Sequence, residues 1–481
     1  MKSSQPRWAL TLAAAFAIFW IFHRAHQQSI TLDEADTWHL WVRPAWPSHW
    51  EPHSNNHVLN SALMRLSLHF FPLSELAVRA PALAGGILYI GSSFALASLL
   101  FASTLLQWGM FTCLVFNPFI ADYLVAARGY ALALGCLTLA IFLLALAVIR
   151  NRRSVPIVAA ISVSLALSFA ANFTFAYAAA FIGLCTLLLI VRSRQTAFAA
   201  VVPGLATALV LVGSIVARFP RDQLFWGTSS IRESWDSIRD SSFTEINPFL
   251  VNPSVAHWLD LARRHLAAAI VVWLVLFLLF AWRDRHLQNK SPAGIFAAAI
   301  GLTLAATFAA HYAMFRFARI PLPLERTSLH MVALATVAFG ATVSVPTGGR
   351  LAKWTQTAGV VILIGTSVLF MAELRDSYFR LWRDGAELKA AFPVLEDVCR
   401  RTGEREVIAD WNLINSLNFY REATHSEEVD EVQFFEHMPR GRKVYILNPE
   451  TVKDLIRDDN LQTVWHDADN RMIIAVPAPG Q

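Results

Sequence analysis

Asp33, Glu34 and Asp36 fall within four residues of the stretch SITLDEADTWHLWVRP (residues 29–44), followed at once by Trp38 and Trp41. A carboxylate can take a proton from a hydroxyl, hold a metal ion or pair with a guanidinium. It can also simply favour the first turn of a helix, here with Thr31 or Asp33 as the cap. Two neighbouring features argue for chemistry. His53 and His57 lie one helical turn apart in EPHSNNH, and Glu75 with Arg79 opens the next apolar stretch. Farther on, NPFIADYLVAARGYALALG puts Asp122 and Arg128 between two apolar runs, where leaving water is costly. Functional use is the expectation there, with a mutual Asp122–Arg128 pair that fixes the turn as the alternative. RFARIPLPLER supplies Arg316, Arg319 and Arg326. A guanidinium is planar, stays charged and matches phosphate oxygens; snorkelling to lipid headgroups is the plainer reading of this last set.

Such residues need a scaffold, and composition says of what kind. The chain has 481 residues, 55% hydrophobic and 16% charged, with a mean hydropathy of +0.44. That is too apolar for an ordinary soluble domain, and it predicts a polytopic α-helical membrane protein. A helix needs about 20 mostly apolar residues to span a bilayer, with its backbone groups bonded internally. Apolar runs place eleven spans near 8–23, 76–100, 104–121, 130–149, 155–171, 174–191, 197–217, 266–282, 293–312, 328–346 and 355–372. The first carries no charge from Trp8 to Phe22, and no small-x-small cleavage pattern follows FWIFHR, so it reads as an uncleaved span.

With the N-terminus in the cytoplasm, the inner segments are 1–7, 101–103, 150–154, 192–195, 283–290 and 347–353. They hold twelve Lys or Arg against one acid, Asp284, as the positive-inside rule requires. The net charge of +5 therefore reads as an orientation signal, with no nucleic acid as partner. Segments 24–75, 218–264 and the tail from Glu373 to Gln481 then face outward. Within the first, DEADTWHLWV and NNHVLNSALMRLSLHFF predict amphipathic interfacial helices with the aromatic side toward the membrane. In the second, Trp226, Trp235 and Trp258 mark either a mobile lid over a site or an interfacial aromatic belt. The tail is charged, and REVIAD, RKVYIL and RMIIAVP with the helical NPETVKDLIRDD predict a small soluble α/β domain. The chain thus divides into 1–372 and 373–481.

Cys113, Cys136, Cys185 and Cys399 form no disulfide framework and no metal spacing. NFT at 172–174 matches the glycosylation pattern, but it lies so close to the membrane that chance explains it. No internal repeat is present, and the ionisable residues gather at one membrane face, which weighs against a transporter. A membrane-anchored binding protein would need only one span.

An acidic pair after the first span, then NNHVLNSALMRLSLHFFPLSELAVRAPALAGGILYI, then ARGYALAL, resembles the membrane glycosyltransferases of the GT-C type. These include protein O-mannosyltransferases, lipid A aminoarabinose transferases and lipopolysaccharide-core transferases that use polyprenyl-phosphate sugars. The similarity covers residues 8–200 by motif and the rest by topology. It implies transfer of one sugar, with inversion, from a polyprenyl-phosphate carrier to a glycan, lipid or protein acceptor at the outer face of a bacterial inner membrane. By position, the family's catalytic base falls on Asp33, with Glu34 beside it. Asn56 and His57 match the Asn-His-Pro-Leu element, with Val58 in place of proline. Arg128 and Tyr130 match Glu-Ala-Arg-x-Tyr, with Ala126 where glutamate is frequent and Asp122 as the candidate second acid.

The residue types suit that chemistry. A carboxylate takes the acceptor proton while the hydroxyl attacks the anomeric carbon, and cations or a metal hold the departing lipid phosphate. Arg79, Arg128, Arg316, Arg319 and Arg326 are the phosphate candidates, and His53, Asn56, His57 and Tyr130 complete the substrate-binding set. Glu34, Asp122 and His57 are the candidate ligands should a divalent metal take part. A lipid-linked transferase acting on phosphate rather than sugar is the nearest competing reading, since it would share the acids and arginines.

Overall fold

The computed structural model describes residues 8–44, 52–220, 223–283, 291–345, 350–435, 439, 443–450, 453–458 and 460–478. It is mostly helical. Helix α1 (Trp8–Gln27) leads through α2 (Leu32–Thr37) and α3 (Val58–Phe70) to α4 (Glu75–Leu100). There follow α5 (Thr104–Val115), α6 (Pro118–Tyr123), α7 (Tyr130–Ile149), α8 (Val155–Ala171), α9 (Ala176–Leu189) and α10 (Arg194–Ala217). Next come α11 (Ile231–Ser242), α12 (Pro253–Arg283), α13 (Pro292–Ala318), α14 (Leu329–Val343) and α15 (Arg350–Ala372).

Among the described residues, six helices are long and apolar enough to cross a membrane: α1, α4, α7, α10, α13 and the Trp354–Ala372 part of α15. Helices also occupy the other five runs read as spans, but length and composition single out six of the eleven expected. Of the expected inner segments, 1–7 and 283–290 lie wholly or largely outside the described residues and 347–353 lies partly outside them. One predicted span, 104–121, is broken. Asn117 accepts from the N–H groups of Phe119 (3.0 Å) and Ile120 (3.2 Å), and Pro118 begins a second helix at the position where its missing N–H costs nothing. Helix α12 starts at Pro253 rather than near 266, which shortens the loop before it.

Helix α7 is central. In its apolar window 72% of residues are buried, against 22% for α10 at the rim. Its approach to α4 depends on two glycines: a Cβ added at Gly135 would lie 2.5 Å from the Gly85 carbonyl oxygen, and one at Gly85 would strike the backbone at Leu132.

The aromatic side of α2 and the turn after it faces protein, contrary to the expectation of a membrane-facing side. Helix α2 continues into a π-helical turn, Trp38–Val42, in which Trp38 and Trp41 are buried. Trp38 packs edge-on against Phe419, ring centroids 5.5 Å apart. That contact comes from the tail, which contains α16 (Leu388–Thr402), β1 (Val407–Ala409), α17 (Ile414–Ala423), β2 (Val444–Leu447), α18 (Lys453–Asp458), β3 (Leu461–His466) and β4 (Ile473–Pro477). The sheet order is β1-β2-β4-β3, with β1–β2 parallel and the other pairs antiparallel. Three strands fall on the three alternating runs in the sequence. β3 escaped that reading because it is an edge strand whose middle residues are exposed. Ile30, Ala35, Met64 and Val78 share one apolar cluster with Leu388, Phe392 and Leu417, so the tail is seated on α2, α3 and the start of α4.

Gly135→Ala should destabilise the protein by about 1–3 kcal/mol through overpacking of α4 on α7. A lowered unfolding midpoint of the purified protein in detergent is the expected readout.

Candidate active site

Glu34 and Arg79 are both fully enclosed, each 0% exposed. Thr31 caps α2: its Oγ1 accepts from the Glu34 N–H (3.2 Å), while Glu34 Oε2 accepts from the Thr31 N–H (2.9 Å). The Arg79 Nε donates to Glu34 Oε1 (2.9 Å) and Nη2 to Oε2 (2.7 Å). The other N–H groups of Arg79 reach the carbonyls of Ala25 (2.9 Å), Gln28 (2.8 Å) and Ser29 (2.6 Å), so all five donors are used. Glu34 Oε1 also accepts from the Ala127 N–H at 2.7 Å. Burial would raise the Glu34 carboxyl, but Arg79 and the two backbone N–H groups outweigh it and hold it below its ordinary range.

Asp33 is turned the other way. A helix advances 3.6 residues per turn, so adjacent residues point about 100° apart. Its Oδ2 accepts from Arg326 and from the Trp382 Nε1 at 3.1 Å, and Arg128 lies 3.6 Å from Oδ1. Arg128 also donates to the Asp33 carbonyl (3.0 Å), to Thr37 Oγ1 (2.7 Å) and to Asn55 Oδ1. Burial by itself would raise the Asp33 carboxyl; Arg128, Arg326 and Trp382 prevail, so it stays ionised and lies below the usual range. Arg326 is 17% exposed at its side chain and lies over the Trp226 ring at 5.1 Å.

An aromatic wall stands beside this carboxylate. Tyr130 is 4.7 Å by ring centroid from Tyr123 and 5.4 Å from His57, and Tyr123 meets Trp382 edge-on at 5.5 Å. Gly129 precedes α7 with φ +74°, where a Cβ would strike the Ala171 carbonyl and the His57 side chain. Burial, and then the charges of Arg128 and Arg326, hold the His57 imidazole far below its ordinary range, so it is neutral. Among the described residues its Nε2 is buried without a partner, as is the Tyr123 hydroxyl.

Asp122 does not pair with Arg128, so the alternative of a mutual turn-fixing pair does not hold. Its Oδ1 accepts from Arg24 (2.6 Å) and its Oδ2 from the Arg380 backbone N–H (2.9 Å). Asn56 accepts from Ser61 (3.0 Å), and His53 accepts from the Asn55 N–H (3.1 Å) and packs on Trp41. Arg316 and Arg319 are exposed at the end of α13, and of the three arginines in RFARIPLPLER Arg326 alone contacts Asp33 among the described residues. The three considered metal ligands do not assemble. Glu34 is committed to Arg79, Asp122 to Arg24, and no group of three His, Cys, Asp or Glu side chains fit to hold an ion occurs among the described residues.

Sequence reading missed Trp382, Arg24 and Phe379. Trp382 offers no local signal beyond an aromatic in a charged segment, and Arg24 reads as an ordinary charge at a span end. Two cavities complete the site. One of about 580 Å³ is lined by apolar groups including Trp235, Ile238, Val271, Leu274, Phe308 and Phe339. The other, of about 860 Å³, is bordered by Asp122, Tyr123 and many arginines; the two share Arg239 and Phe243.

Breaking the enclosed pair by Arg79→Met or Glu34→Gln should each cost about 3–5 kcal/mol, because a buried group is left uncompensated. The double variant should cost less than the two losses added together. Because the Glu34 pKa is depressed in the folded state, this stabilisation is complete above its ordinary 4.5 and is lost as pH falls through the lower folded value. Unfolding midpoints of the three variants across acid pH read both effects.

No family model and no curated protein matches the chain. Solved structures do. ArnT from Cupriavidus metallidurans bound to undecaprenyl phosphate is similar at 12% identity and TM-score 0.51, with 99% of each chain covered. The arabinofuranosyltransferase AftD from Mycobacteria aligns at 14% identity and TM-score 0.42, over 99% of this chain and 40% of AftD. The first likeness spans both chains end to end, and the protein has the fold of the GT-C type membrane glycosyltransferases.

Proposed function

We propose that this protein is a glycosyltransferase that moves one sugar from a polyprenyl-phosphate carrier to an acceptor hydroxyl at the outer face of a bacterial inner membrane, with inversion and with Asp33 as general base. The observation that carries this reading is Asp33 itself: a buried carboxylate kept ionised by Arg128, Arg326 and the Trp382 N–H, just past the end of α1. The GT-C fold supports it, as does the undecaprenyl phosphate held by ArnT.

In this reading the acceptor hydroxyl attacks the anomeric carbon as Asp33 takes its proton. The bond from that carbon to the phosphate oxygen breaks, and the lipid phosphate leaves with the electron pair. Arg326 and Arg128 are placed to stabilise it. A phosphate that draws Arg326 away from Asp33 also makes the carboxylate a stronger base, so donor binding and base activation are coupled. Tyr130, His57 and Asn56 shape the sugar side, while Glu34 and Asp122 position the site through Arg79 and Arg24. The apolar groove beneath α11 suits the prenyl chain, with Arg239 at its polar end.

The fold is read as eleven crossings, with the N-terminus in the cytoplasm and residues 373–481 outside as a second domain. Reporter tags should place residue 152 in the cytoplasm and residue 481 on the outer side; an inside signal from 481 would remove the tail from the site's face.

Asp33→Asn keeps the side-chain size but cannot accept the proton, so single-turnover transfer from undecaprenyl-phosphate sugars should fall by about 10²–10⁴-fold with donor binding retained. Wild-type turnover in that variant would end the assignment. Transfer needs ionised Asp33, so kcat/KM should fall only as pH drops through a value below the ordinary aspartate range. Arg326→Gln should move that limb to higher pH.

A further inference from the structure

The three tryptophans of residues 218–264 have three different surroundings. Trp235 lines the apolar groove, and Trp258, near the start of α12, is 68% exposed, as suits an interfacial belt. Trp226 sits elsewhere. The Arg326 guanidinium lies over its ring at 5.1 Å, and Arg326 is the ion-pair partner of Asp33. A planar guanidinium covers one face of an indole, and 48% of Trp226 stays open.

The backbone fixes this placement. Thr228 donates to the Leu322 carbonyl (3.0 Å) and Leu322 to the Thr228 carbonyl (2.8 Å), which ties the chain two residues past Trp226 to the stretch that carries Arg326. The Thr228 hydroxyl accepts from the Ser230 N–H (3.0 Å) and donates to the Glu233 carboxylate. Helix α11 holds the same stretch from beyond that turn: the Ser234 hydroxyl donates to the Pro323 carbonyl (2.5 Å), and the Ser237 hydroxyl accepts from the Glu325 N–H (2.8 Å). An indole anchored this way over the Asp33–Arg326 pair is a fixed surface beside the reacting groups, unlike a surface aromatic scattered singly.

We propose that Trp226 is the platform on which the sugar ring bearing the attacking hydroxyl stacks, so that the acceptor is a carbohydrate; the inference rests on the transferase reading above. In an inverting displacement the hydroxyl approaches the anomeric carbon from the side opposite the leaving phosphate, so acceptor and donor need separate surfaces that meet at Asp33. Trp226 meets that requirement: it lines neither the groove assigned to the donor's chain nor the larger cavity that adjoins it, yet it is one guanidinium away from the base. The C–H face of a sugar ring is apolar and weakly positive, which matches the negative face of an indole. A ring stacked by that face keeps its hydroxyls at the edge, where one can reach Asp33. The serine or threonine of a protein acceptor has no such face.

The test is saturation-transfer NMR on the full-length protein in phosphatidylcholine nanodiscs, titrated with the methyl glycosides of glucose, mannose, galactose and arabinose. Saturable binding of at least one is expected, weakened about 10-fold in Trp226→Ala, largely kept in Trp226→Phe and unchanged in Trp258→Ala. Excess undecaprenyl-phosphate glucose should leave the glycoside in place and should itself bind Trp226→Ala as it binds the wild type. Absent binding of every glycoside, or equal binding in the wild type and Trp226→Ala, overturns the proposal. Displacement by the lipid-linked sugar, or its weakened binding to Trp226→Ala, overturns it too, because the indole would then belong to the donor's site. No step needs turnover, so a failed subsite and a failed transferase reading give different results.

Discussion

The enclosed pair of Glu34 and Arg79 is the constraint on which the candidate site depends. Removing two charges from water is costly, and such a pair is tolerable only when every remaining donor and acceptor is satisfied. Here that requirement draws in the carbonyls of Ala25, Gln28 and Ser29 and the N–H groups of Thr31 and Ala127. Those groups belong to the end of α1, the start of α2 and the loop before α7, while Arg79 lies in α4. One side-chain pair therefore fixes four chain segments against each other.

With α2 held in this way, the neighbouring carboxylate has its direction set for it. Glu34 is sealed between backbone groups, whereas Asp33 meets two guanidiniums and an indole N–H, one of whose carriers, Arg326, still has partial access to water. The same chemical group is thus sealed against one guanidinium at Glu34 and shared by two guanidiniums and an indole N–H at Asp33. The difference lies in access: Arg79 is fully enclosed, whereas Arg326 is partly open to water.

The segment after α15 completes the arrangement from far along the chain. Phe379 lies between two buried guanidiniums, 5.1 Å from Arg24 and 5.3 Å from Arg79. The Tyr420 hydroxyl accepts from the Ile30 N–H (2.9 Å) and donates to Glu75 (3.1 Å), and Asn415 donates to Asp36 at 2.7 Å. Asp36, which reads as a plain helix-start charge, is instead a docking point for the tail. The tail is part of the site's enclosure and contributes Trp382 to it.

Local information settled much in advance. Apolar runs located the helices, because a bilayer demands continuous hydrophobic length and internal hydrogen bonding. Alternation located three of the four strands, and the LDEAD acids, Arg128 and Arg326 were legible as residue types that are costly to hold near a membrane without a purpose. What sequence could not assign was pairing. Asp122 joins Arg24 across 98 positions and Asp33 joins Arg326 across 293, while Arg316 and Arg319, equal to Arg326 by type, stay exposed. Ion pairs form through space, by direction and burial, and neither quantity is written in spacing along the chain. Sequence determined which groups were present and on which elements; only the tertiary packing decided which carboxylate was sealed against one arginine and which met a partner still open to water.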